Sequence, residues 1–195
     1  MVRKLSFSAF WATILLAFSI NAHGAPLALT MADTPDIAVG FITVEYAGGS
    51  LSANGFALSF DGSDTDPALD IVNGLFTLNA QIDSAGNLAS GSLVVSGTIG
   101  SQYSGTLLTG DLTAFGFNDN PAGDPLEFLF SVTGGELASL YGAVGGIILA
   151  SSGFSGSFTH FSSTSGTADV AAIPVPAAVW LMLTALAGLS GFRNR

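Results

Sequence analysis

Through the middle of this chain apolar residues recur at every second position, in short runs separated by Gly, Asp, Asn and Ser. Phe76, Leu78, Ala80 and Ile82 alternate with Thr77, Asn79 and Gln81, the period of a strand that buries one face. Asp83-Ser84-Ala85-Gly86-Asn87 supplies turn residues, which predicts a hairpin with Leu93, Val95 and Ile99 on the returning strand. Upstream, residues 37–46 alternate with a change of phase near Ile42 that predicts a bulge. Gly48-Gly49 then makes a turn, and residues 51–60 form a second strand expected to place Phe56, Leu58 and Phe60 on one face. Downstream, residues 105–117 predict a strand or bent pair, and Leu126, Phe128, Phe130 and Val132 alternate cleanly. Residues 137–141 suit a single helical turn, and residues 147–149 and 154–161 complete the pattern. Residues 162–172 are rich in Ser, Thr and Ala without an apolar period, and read as a flexible tether. The expectation is an all-β body over 25–161, built as an antiparallel sandwich or barrel, followed by a linker over 162–172. A Ser-Gly-Ser/Thr-apolar unit recurs at Ser90, Ser96, Ser104 and Ser155. Its irregular spacing points to bent strands rather than a solenoid, which needs a fixed period.

Both ends depart from this pattern. Met1-Val2-Arg3-Lys4 is basic, residues 5–20 are apolar, and Ala22 and Gly24 are small residues at spacing two before Ala25. That order predicts a secretory signal peptide over 1–24, cleaved after Gly24; an uncleaved anchor is the alternative. At the other end Pro174 and Pro176 keep the chain extended. Residues 177–192 then form an uncharged apolar run closed by Arg193 and Arg195. As a transmembrane helix this run covers roughly 24 Å, slightly less than a hydrocarbon core, with its arginines stopping on the cytoplasmic side.

Charge separates the ends from the body. The four basic residues are Arg3, Lys4, Arg193 and Arg195, whereas all fourteen acidic residues lie between Ala25 and Ile173. Such a body has no cations with which to neutralise phosphates, which excludes a nucleic-acid partner, and it is repelled by anionic lipid. The chain has no cysteine, so it holds neither a disulfide nor a thiolate metal site. Abundant apolar residues and frequent Phe are foreign to disordered chains.

Candidate chemistry is sparse. His160 is the one histidine left after leader removal, and no Gly-x-Ser-x-Gly elbow accompanies it. No catalytic residue, metal ligand or cofactor is assigned, and the body reads as non-enzymatic. Asp61, Asp64, Asp66 and Asp70 share one loop and Asp119 and Asp124 another. They leave open a second reading, an extracellular calcium- or glycan-binding module, although their spacing is not that of an EF-hand.

Residues 173–181, Ile-Pro-Val-Pro-Ala-Ala-Val-Trp-Leu, with the apolar run and terminal arginines behind them, resemble the PEP-CTERM class of bacterial sorting signals. They are closest to the variant named for Val-Pro-Leu-Pro-Ala. Val175 stands where the founding motif has Glu, and Ile173 and Val175 replace the Val and Leu of the variant. The resemblance implies a sorting motif of Ile173, Pro174, Val175, Pro176, Ala177 and Trp180, recognised by an exosortase, a multispanning membrane protease. It implies export by the secretion machinery, a tethered intermediate at the inner membrane, and final placement at the cell surface or in an extracellular polysaccharide matrix.

Overall fold

The alternating runs pair in sequence order and curl until the last meets the first. The computed structural model describes residues 25–118, 125–151 and 153–174. Its strands are β1 (Asp36–Ala47), β2 (Ser50–Asp61), β3 (Leu69–Ile82), β4 (Leu88–Ile99), β5 (Tyr103–Phe117), β6 (Leu126–Gly134), β7 (Val144–Ala150) and β8 (Phe161–Ala172), with one helical turn, α1 (Ala138–Tyr141), between β6 and β7. Every neighbour is antiparallel and β8 pairs with β1, closing an up-and-down barrel of eight strands. Closure leaves no edge strand to aggregate.

Along β3 and β4 most side chains sort by parity. Phe76, Leu78, Ala80, Ile82, Leu93, Val95 and Ile99 all point inward and are buried, while Asn79, Gln81, Ser90 and Ser92 face solvent. This apolar interior differs from the polar interior of a transmembrane barrel. Phe130 shows how tightly the interior is filled: its ring occupies the space where Gly110 and Gly145 would carry a Cβ. The predicted hairpin is present. Asp83 accepts the N–H groups of Ala85 and Asn87 and the side-chain amide of Asn87, each at 2.9 Å. These bonds, that of the Asn87 side chain foremost, hold its carboxyl below the usual range.

Both mouths are closed. At the mouth beside the start of β1, α1 turns Leu137 and Tyr141 into the core, and the Tyr141 hydroxyl donates to the Val170 carbonyl at 2.7 Å. At the opposite mouth, Phe154 and Phe158 of the segment 153–160 are buried. The Phe158 ring lies 4.8 Å from Phe117, 5.0 Å from Phe154, 5.1 Å from Tyr46 and 5.5 Å from Phe115, mostly edge to face as ring quadrupoles prefer.

Three expectations are corrected. Residues 162–172 are no tether: with Phe161 they form β8, so the body runs to Ala172 instead of ending at 161. The segment hides its alternation because its inward positions are small, namely Ser163, Gly166, Ala168 and Val170. Large partners fill the space instead, Ile42 lying directly over Gly166. Residues 154–160 are not a strand but the aromatic plug. Phe56, Leu58 and Phe60 do not share a face. Ala38 pairs with Ser59 and Val39 with Ala57, which leaves Leu58 as an extra residue. This bulge reverses the parity, so Phe60 is buried while Phe56 and Leu58 stand outside.

The bulge predicted near Ile42 is present, with register shifts between Gly40 and Thr43 and a φ of 54° at Phe41. Among the described residues no helix is long and apolar enough to cross a membrane. The predicted signal peptide with Ala22 and Gly24, the residues Val175, Pro176, Ala177 and Trp180, the helix 177–192, Arg193 and Arg195, and the loop residues Asp119 and Asp124 lie outside the described residues.

Candidate functional site: the strap and the tail exit

Residues 25–34 precede β1 as an extended strap across the outside of β5 to β8. Gly116 on β5 lies beneath the backbone of Ala25 and Leu27, so a side chain there would lift the strap, and Gly146 on β7 lies beneath Ile173 with Leu29 and Met31 of the strap beside it. Between them stands Glu127 on β6, whose neighbours Leu126 and Phe128 point inward, so its own carboxylate faces the strap. Oε2 accepts the Ala28 N–H at 3.0 Å and Oε1 the Leu29 N–H at 3.3 Å. A φ of 52° at Ala28 turns two successive amides toward one carboxylate. The Ala32 N–H then donates to the Ala172 carbonyl at 2.9 Å, joining the strap to the last strand. Glu127→Ala removes a charged acceptor from two amides, and stability is expected to fall by about 1.5–3 kcal/mol. Hydrogen exchange should accelerate selectively at Ala28 and Leu29; unchanged protection there would refute this anchoring role.

The chain leaves the barrel at the same place. The Ala172 N–H donates to the Pro35 carbonyl at 3.2 Å and the Ile173 N–H to the Val144 carbonyl at 3.3 Å. The Ile173 side chain covers Gly146 beside Leu29 and Met31. Ile173, first residue of the predicted sorting motif, is therefore part of the folded wall, and Pro174 is exposed. The motif begins with no slack between it and the barrel.

A cleft of about 280 Å³ beside this exit is lined by Met31, Ala32, Asp33, Asp36, Ile148, Asp169 and Ala171. Asp36 pairs with Asp61 on β2 and with Ala171 on β8, so the carboxylates of Asp61, Asp36 and Asp169 cross three adjacent strands. Burial first, then Asp169 and Asp61, push the Asp36 carboxyl from 3.8 up to about 6. Its Oδ1 is buried and accepts no hydrogen bond. On the inner side, burial and the Asp36 charge raise the Tyr141 hydroxyl well above its ordinary value, which keeps it neutral.

The raised carboxyl ties stability to pH. Between pH 3.8 and about 6 the folded chain holds a proton that the unfolded chain has released. This contribution is therefore complete at the acid end and lost as pH rises through about 6. The whole shift corresponds to about 3 kcal/mol, which solvent screening of a half-buried group reduces to about 1–1.5 kcal/mol. Asp36→Asn is expected to raise stability at pH 7 by that smaller amount and to flatten the loss between pH 4 and 6. Urea titrations across this range check it, and an undiminished slope in the variant would refute it.

The remaining candidates do not converge. His160 is exposed in the segment at the far mouth. Asp61 accepts the Ser63 N–H at 3.3 Å, as turn residues do, and Asp64 accepts the hydroxyl of Thr34 on the strap at 2.8 Å. Among the described residues no three His, Asp or Glu side chains are grouped to hold a metal ion. Glu127 and Asp36 escaped the sequence reading. The one hint for Glu127 is a charge inside the run Leu126-Glu127-Phe128-Leu129-Phe130, and nothing in the linear order tells that residues 25–34 will cover it.

No family model, curated protein or solved structure matches this chain.

Proposed function

We propose that the chain is a non-enzymatic bacterial surface or extracellular-matrix protein, exported through its 1–24 signal peptide. It is then sorted by residues 173–195, with an exosortase-type membrane protease acting at Ile173-Pro174-Val175-Pro176. The observation that carries this reading is the confinement of every Lys and Arg to the two ends of the chain. Cations placed only beside apolar segments set membrane orientation, and the purely anionic stretch between them is the translocated cargo. The exposure of Pro174 immediately after the last strand supports it, because the motif is then open to a protease at the point where the barrel ends. The plugged mouths support a structural role, since the barrel interior is filled with its own side chains.

Intact-mass measurement of the protein from its host tests the reading at both ends. A mature N-terminus at Ala25 and a C-terminus within or just after the proline motif are expected. Recovery of all 195 residues from the cytosol, with neither end processed, would refute it.

A further inference from the structure

Among the described residues, most of the exposed large apolar side chains gather on one part of the outer wall. Phe41 is 74% exposed, Val72 57%, Leu75 53% and Phe56 52%, and Leu58 and Val94 are exposed as well. Register brings these residues together on β1 to β4. Gly40 pairs with Phe56, Leu75 with Ser96 and Thr77 with Val94, and the Leu58 side chain lies over Gly40. Phe41 and Leu58 both sit at irregularities in the β1–β2 pairing, so the bulges themselves turn apolar side chains outward. The opposite wall has its own cover in Leu27, Leu29 and Met31 of the strap. A contiguous apolar face of this kind marks a contact surface.

We propose that the β1–β4 face rests on the interfacial layer of a zwitterionic phospholipid bilayer while the tail is inserted. This rests on the reading of residues 177–192 as a membrane span. Only residues 173–176 separate that span from the last strand residue, Ala172, and fully extended they reach about 14 Å. Ile173 is already spent on the wall, where its N–H is bonded to Val144. The barrel is therefore held against the membrane, and the chain leaves at the end of β8, between the start of β1, the first strand of the apolar face, and β7, whose Val144 holds Ile173. Charge selects the lipid. Asp61, Asp64, Asp66 and Asp70 flank the face, and no Lys or Arg lies between Ala25 and Ile173 to offset them, so an anionic headgroup is repelled. The same unbalanced charge opposes a second copy of the chain as the occupant.

Because the chain has no cysteine, single fluorescent labels at Leu75→Cys, Gln81→Cys and Leu183→Cys separate the possibilities. The full tail-bearing chain is reconstituted in phosphatidylcholine vesicles whose acyl chains carry bromine as a contact quencher. The labels at positions 183 and 75 should lose most of their fluorescence, while position 81, on the polar part of β3, keeps it. Admixture of phosphatidylglycerol should restore fluorescence at position 75 and leave position 183 quenched. Quenching at 183 without quenching at 75 overturns the lipid-contact face and leaves the membrane span standing. Absence of quenching at 183 overturns the span and the face with it. Disulfide-linked dimers of the unlabelled Leu75→Cys variant, formed while its labelled form stays unquenched, would assign the face to a second copy and also overturn the proposal.

Discussion

A chain ended after Phe161 does not fold, whereas one ended after Pro174 does. The first truncation removes residues 162–172 and with them nearly all of β8. β1 then loses its pairing from Asp36 to Glu45 and β7 its pairing from Gly145 to Ala150. The buried Ala168, Val170 and Ala171 go too. Each ladder hydrogen bond contributes about 0.5–1.5 kcal/mol net, so two lost ladders remove an amount on the order of the 5–15 kcal/mol that stabilises a whole domain. The opened barrel also exposes β1 and β7 as unpaired edges, which favours aggregation. Far-UV circular dichroism and urea titration of both forms check this result. A cooperative transition in the shorter form would show that β8 is dispensable.

Phe158→Ala is expected to cost about 3–5 kcal/mol. Phe158 is buried at the mouth opposite α1, with Phe117, Phe154, Tyr46 and Phe115 around it. Removing the ring leaves a void that Phe154 and Phe117 can fill only in part, and water gains access to the ends of β5 and β8. Phe41→Ala serves as the comparison. It deletes the same ring from a side chain that is 74% exposed, and its effect on the stability of the barrel should stay within about 0.5 kcal/mol. Equal losses for the two variants in a denaturant titration would contradict the plug.

Much of the barrel was legible because alternation is a local property. Phe76 to Ile82 and Leu126 to Val132 declare their faces by parity alone, and Asp83 to Asn87 declares its turn through side-chain bonds to its own backbone. Parity fails where a register shift intervenes. Residues 51–60 carry Phe56, Leu58 and Phe60 in step, yet a single extra residue at Leu58 separates them, and that residue exists only in relation to β1. Residues 162–172 fail for the converse reason: Gly166 is small because Ile42, on a strand remote in sequence, fills its place.

The linear order was enough for the class of fold and for the division between basic, apolar ends and an anionic body, since composition and period need no partner to be read. Three-dimensional closure was needed for the strap anchor and the acidic cleft of the candidate site. Glu127 becomes an anchor only when residues 25–34 cross β6, and Asp36 acquires its raised carboxyl only when folding buries it and brings Asp169 of β8 and Asp61 of β2 beside it. Both depend on contacts between segments far apart along the chain, and such contacts leave no period in it.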